Sequence, residues 1–156
     1  MMRISEEIKS DFQMVSSCIK YISLKNDFYM LPEPERLSFI ADAEYDEIHI
    51  SRNETGGFKG TIDLTVTATA KLKKSKDKIC IRICMKGIFM DSEAKEEEAF
   101  EQFLTLNGCA SLYAIARSMI ISLSSQSMSG GELILPMVNF FRMKEAKDKK
   151  ETEKSE

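Results

Sequence analysis

The sequence is poor in the residues that most enzyme chemistry needs. Its 156 residues include a single histidine, His49. A metal ligand or general base at that position would need partners that the pattern does not supply, so His49 reads as a structural or exposed strand residue. The four cysteines, Cys18, Cys80, Cys84 and Cys109, form no Cys-x-x-Cys pair. Cys80 and Cys84 lie four apart in an alternating segment, which sets their α-carbons about 13 Å apart at ~3.3 Å per residue. That is too far for a disulfide or one shared metal. Free thiols, and hence a cytoplasmic location, are expected. "NETGGFKG" has glycines but neither phosphate-loop nor GxGxxG spacing, and reads as a turn. "EAKEEE" is a solvated helix start rather than a metal site, and Asp42 and Asp63 have no visible catalytic partner. No run reaches the ~18 apolar residues of a membrane span. The polar start "MMRISEEIKSDF" shows no signal peptide. A net charge of −3 with no basic stripe argues against nucleic acid. No catalytic residue, cofactor, metal site or membrane insertion is expected.

What the sequence does have is patterned apolar surface. In "GTIDLTVTATAKL", Ile62, Leu64, Val66, Ala68, Ala70 and Leu72 alternate with threonines, Asp63 and Lys71. Period-two alternation with β-branched residues predicts a half-buried strand. After the polar turn "KSKD", "KICIRICMKGIF" alternates again, so the two predict an antiparallel hairpin with one apolar face. Upstream, "RLSFIADAEYDEIHIS" predicts a third strand. "FQMVSSCIKYISLKND" is apolar on both faces, which fits strand or helix; a fourth strand is the favoured reading. The connector "FYMLPEPE" is extended because of Pro32 and Pro34, and is apolar for a loop.

Beyond the hairpin the period becomes helical. "DSEAKEEEAFEQFLTL" carries its acids in the first turns, where the helix dipole favours them. Asn107-Gly108 predict a stop or sharp bend. From Cys109 to about Gln126 a second helical run is apolar on almost every side, with Arg117 its only charge. One four-stranded sheet cannot cover such a helix on both sides. Self-association is therefore expected, with Leu112, Ile115, Met119, Ile120 and Leu123 at the interface. The tail 142–156 is a charge mix expected to be mobile or a solvated helical extension.

Apolar residues also crowd the irregular segments. Phe28, Tyr29, Met30 and Leu31 stand in the connector; Met128, Leu133, Leu135, Met137 and Phe140 follow the long helix. They predict a groove between connector and coda that accepts apolar polypeptide segments. The ten methionines favour adaptable contacts of that kind.

Taken in order, "IDLTVTATAKL", "KGIF" and "NGCASLYAIARSMIISLSSQSMSGGELILPMVNF" resemble the SecB export chaperones. The likeness spans roughly residues 12–141 and includes a Tyr-x-x-Ala-Arg run and a Leu-x-Pro-x-x-Asn-Phe-like coda. It implies an α+β domain over residues 1–141, with a four-stranded antiparallel sheet followed by helices packed on one face. It also implies ATP-independent holding of unfolded or non-native polypeptides, homo-oligomers (dimer or tetramer), and a part in protein export. The family's cleft would match Phe28–Leu31 and Met128–Leu135. The family binds the SecA motor through carboxylates on the sheet's exposed side, whereas here Lys78, Arg82 and Lys86 predict a basic patch. Weak SecA binding is the expectation. The rival reading is a SecB-like partner that protects one specific protein, such as an antitoxin.

Overall fold

The computed structural model describes residues 9–153, so the first eight residues of the polar start and the last three of the tail lie outside it. Four strands come first: β1 (Phe12–Asn26), β2 (Leu37–Arg52), β3 (Phe58–Leu72) and β4 (Lys78–Asp91). They form one antiparallel sheet in the order β1-β4-β3-β2. The connector must therefore cross one end of the sheet from edge to edge. It does so beneath the β3–β4 turn, tied by Asp27 N–H to Lys78 O (3.0 Å) and Lys73 N–H to Arg36 O (2.7 Å).

The alternation written into β3 and β4 decides which face is buried. Ile62, Leu64, Val66, Ala68, Ile79, Ile81, Ile83 and Phe89 are all fully buried, on the face covered by the helices. Gly87 interrupts the β4 series for a steric reason. A Cβ there would lie 2.5 Å from the Phe89 ring and 3.1 Å from Leu112, so the glycine lets the long helix rest on the sheet.

That helix is built from α1 (Glu97–Phe103), a π-helical segment Leu104–Gly108, and α2 (Cys109–Ser127). The expected stop at Asn107-Gly108 does not occur. Gly108 has φ −62 and ψ −50, ordinary helical values. The helix continues because Leu104, Cys109 and Leu112, on both sides of the glycine, are all buried in the same core. The π segment absorbs the change in phase. By length and composition the stretch 97–127 could cross a membrane, but its apolar stripe lies on the sheet.

The expectation of a helix apolar all round is corrected in the same way. Leu112, Tyr113, Ala116, Ile120 and Ser124 face the chain's own sheet, while Ala114, Ser118, Ser122, Ser125 and Gln126 face outward. The outward side is small and polar, so helix periodicity separates the two sets cleanly. Two residues assigned to an oligomer interface, Leu112 and Ile120, are fully buried within the protomer. Ile115, Met119 and Leu123 remain half-buried on the flanks.

The uncovered apolar surface is instead on β1. Its first residue is held by rings: Phe12 stacks on Phe89 at 5.2 Å and meets Phe100 and Phe103 at 5.9 Å. Further along, Ile19, Ile22 and Leu24 pair with Met85, Ile83 and Ile81 on the helix-facing side, yet all three remain exposed. The residues of the charged tail from Phe140 to Glu153 form a third helix, α3. Asn139 Oδ1 accepts from Arg142 N–H at its start (3.2 Å), a side-chain cap on the helix N-terminus. Phe140 is buried edge-on against Tyr113 at 5.6 Å, and Met143 packs on the core.

Candidate polypeptide-binding surface

The coda between α2 and α3 is extended and is held by the face of α2 that carries the Tyr-x-x-Ala-Arg run. Tyr113 donates to Pro136 O (2.5 Å) and Arg117 to Leu135 O (2.8 Å). One turn apart on the helix, the two side chains reach successive carbonyls of the coda. Burial raises the Tyr113 phenol pKa, so it stays protonated and keeps donating. At the other end Ser124 Oγ accepts from Leu133 N–H (2.8 Å). These bonds set the coda's alternation: Leu133 and Leu135 turn inward and are buried, while Ile134 between them is 58% exposed; the alternation ends at Pro136, and Met137 beyond it is 84% exposed.

The connector meets the start of the coda directly. Met30 and Ser129 form a parallel bridge, with Ser129 N–H to Tyr29 O at 3.0 Å and Leu31 N–H to Ser129 O at 3.1 Å. Tyr29 and Met30 then point outward, 94% and 69% exposed. The structure thus brings the two predicted segments together, but as a bonded pair rather than as walls of a groove between them. Of the nine expected contact residues, Met128, Leu133, Leu135 and Phe140 are buried core, Phe28 and Leu31 are half-buried, and Tyr29, Met30 and Met137 are exposed. Ile134 and Phe141, both 58% exposed, add further exposed apolar side chains in the coda and at the start of α3. Within the coda, alternation separates buried Leu133 and Leu135 from exposed Ile134 but ends at Pro136, and Met137, at the same parity as the two leucines, is exposed.

A cleft of about 230 Å³ opens where the coda enters α3, between β2 and α2. Ala41 and Ala43 form its floor, small because β2 carries alanine where β3 carries Val66 and Ala68 opposite. Tyr113, Pro136, Val138 and Met143 supply the walls. The volume suits one side chain rather than a folded domain. Helix α3 separates this cleft from a larger polar basin, about 780 Å³, around the middle of β2. There Lys147 donates to Tyr45 O (2.9 Å) and lies 4.1 Å from the Tyr45 ring centre. Burial, and then Asp148, push the Tyr45 phenol up to about 12, so the ring stays neutral beneath the ammonium.

The basic patch expected on the outer face is corrected by its neighbours across the strands. Lys86 lies 3.1 Å from Asp63 and 3.9 Å from Glu47, and Arg82 lies 3.7 Å from Glu44. Lys20 also binds Asp63 and Glu47. Lys78 is half-buried at the end of β4, where its backbone N–H donates to Asp27 (3.1 Å). The face is a mixed network, because β2 and β3 bring Glu44, Glu47 and Asp63 beside the β4 cations. Burial acts to raise the Asp63 pKa, but the Lys20 hydrogen bond and the adjacent Lys86 ammonium outweigh it and hold the carboxyl below its ordinary value. Asp63, without a partner in the linear pattern, is thus the centre of this network. Its Oδ1 lacks good hydrogen-bond alignment, yet the Lys86 ammonium at 3.1 Å satisfies it electrostatically. The four thiols are free, and burial pushes Cys109 up to about 12. Among the described residues no group of three His, Cys, Asp or Glu side chains is placed to hold a metal.

The overall fold, a four-stranded sheet in the order β1-β4-β3-β2 followed by helices, matches a known structure. A Mycobacterium tuberculosis SecB-like chaperone, solved in complex with a ChAD peptide from the HigA1 antitoxin, superposes with a TM-score of 0.58 at 14% identity. The match covers 82% of this chain and 91% of that one. The fold is SecB-like. No family model and no curated protein matches the sequence. The α+β class, the antiparallel sheet and the helices on one face expected from the resemblance are those of this SecB-like fold.

Proposed function

We propose that this SecB-like chain is an ATP-independent chaperone that holds non-native polypeptide on the coda and its flanking cleft. One observation carries the reading: Tyr29, Met30, Ile134 and Met137 are large, apolar and exposed on a backbone that is hydrogen-bonded in place. Single exposed apolar groups need no explanation, but several large ones on two segments bonded to each other support an interaction site. An extended client would lay alternate apolar side chains on these residues and insert one beside Ala41 and Ala43. Flexible methionines tolerate clients of varied shape. The reading involves no enzymatic reaction and assigns the protein to the cytoplasm.

Self-association belongs to the same proposal, with its surface moved from the apolar stripe of α2 (Leu112, Ile115, Met119, Ile120 and Leu123) to β1. Met14, Ile19, Ile22 and Leu24 stand exposed on the outermost strand, whose free edge offers backbone groups to another strand. Delivery to a SecA motor is not part of the proposal, since Arg82 and Lys86 are already paired with acids. The peptide complex of the mycobacterial neighbour favours a second reading, a partner that guards one protein. Suppression of aggregation of several unrelated denatured proteins without nucleotide tests the first reading. Mass spectrometry of chains copurified with the protein separates the two: many substoichiometric clients fit the general holder, and one stoichiometric partner fits the dedicated guard.

A further inference from the structure

Resting on the chaperone reading, we infer that Asn26 is a positioning residue that fixes the client-facing residues Tyr29 and Met30 before any client arrives. Asn26 is the last residue of β1. Its amide nitrogen donates to Phe28 O (2.9 Å) and to Ser127 O (2.8 Å), and its Oδ1 accepts from Phe28 N–H (2.9 Å). One side chain therefore joins the end of β1, the connector and the last turn of α2, 101 residues away in sequence. Immediately beyond, the Ser129 backbone bonds close on Tyr29 and Leu31. Gly131 seats the other side: a Cβ there would fall 2.3 Å from Leu31 Cδ2, so a larger residue would have to displace the Leu31 side chain.

The consequence is unusual for a loop. Tyr29, 94% exposed, has almost no side-chain contact to hold it, and Met30 is 69% exposed. Neither can fix the connector, so the backbone bonds, Asn26 and the half-buried flanking Phe28 and Leu31 must. A loop ordered only on binding loses conformational freedom at that step, and the loss subtracts from affinity. Asn26 removes that penalty in the free protein. Its effect on client binding is therefore transmitted through Tyr29 and Met30 and not through any contact of its own.

The experiment uses the full chain and a permanently unfolded probe, reduced and carboxymethylated α-lactalbumin, with Kd read by fluorescence anisotropy. The unmutated chain is measured first; if it binds no probe, the chaperone reading falls and this inference falls with it. Given binding, Asn26→Ala should weaken it roughly tenfold, the scale expected when several residues must be ordered on docking. Hydrogen exchange at the Leu31 and Ser129 amides should accelerate while the β3 and β4 amides stay protected. Adding Tyr29→Ser and Met30→Ser to Asn26→Ala should cost less than the same pair costs alone, because the residues they remove are no longer held. Asn26→Asp keeps the acceptor for Phe28 N–H and loses both donors, so its affinity should fall between the two. It carries the same test if the alanine variant does not fold. Unchanged affinity in the face of faster exchange would overturn the inference. So would losses that multiply in full, or an aspartate variant equal to the unmutated protein.

Discussion

Replacing Tyr29, Met30 and Met137 together by serine should abolish tight client binding and leave the fold standing. Their exposures are 94%, 69% and 84%. Full burial of a large apolar side chain contributes roughly 1.5–3 kcal/mol, so the small fractions buried in the free protein put the triple variant's cost in stability at about 1 kcal/mol. The exposed remainder is what a client can cover. If docking covers half of it, the three serines forfeit about 2–3.5 kcal/mol, or roughly 30- to 400-fold in Kd. Fluorescence anisotropy with a labelled unfolded polypeptide measures the second quantity, and urea denaturation of the free chain measures the first. Leu133→Ser is the control of opposite sign. Leu133 is 5% exposed in the core, and its loss should lower stability by about 2–5 kcal/mol. The reasoning is refuted if the triple variant binds as tightly as the unmutated chain, or if it unfolds as readily as Leu133→Ser.

Three other outcomes follow from the packing and the charges. Ile120 is fully buried on its own sheet, so Ile120→Ala should cost about 2–5 kcal/mol in urea denaturation, whereas Ser118→Ala on the outward side should stay within about 0.5 kcal/mol. Ile22 is 42% exposed on the open strand, and Ile22→Lys should reduce the mass seen by light scattering without lowering the melting temperature; an unchanged mass would remove β1 from the assembly surface. The Asp63 carboxyl is held below its ordinary value, so the stability it supplies is complete above about pH 4 and disappears as the pH falls through its lowered folded-state pKa. Asp63→Asn should flatten that acid limb in denaturation curves taken across it, and a limb of unaltered slope would assign acid sensitivity to other carboxylates.

The sheet was legible because its central strands obey one rule. Ile62 to Ala70 and Ile79 to Met85 alternate without a break, and a strand buried on one face has no other way to read. Leu112 and Ile120 were visible as apolar, but sequence spacing alone does not say whether a stripe meets its own sheet or another copy. That depends on Gly87, which is informative only once α2 is seen to lie on it. The coda concealed its order for a related reason. Five of its residues alternate, yet a glycine pair before it and a proline within it look like loop chemistry. What holds it are Tyr113 and Arg117, both on a different element. The charge network was misread because Lys86 and Asp63 are 23 positions apart in sequence and 3.1 Å apart in space. Cross-strand pairing makes such neighbours, and it requires the register.

The two borders of the sheet are finished differently. Along β2 the pairing register slips between Asp46 and His49, Glu47 adopts φ +49, four carboxylates project nearby, and Lys147 occupies the Tyr45 carbonyl. Each of these discourages another strand from joining there. Along β1 the register also shifts, between Met14 and Ser16 and between Ile19 and Tyr21, but no lysine from a neighbouring helix caps a carbonyl among the described hydrogen bonds, and large apolar side chains stay exposed. A unit with two adhesive sides can be added to without end and grows into a fibre. A unit with one can be joined once, after which the pair presents only blunted borders. If β1 serves as the proposed assembly edge, the blunted β2 border limits growth by strand addition to one pairing and so guards against polymerisation.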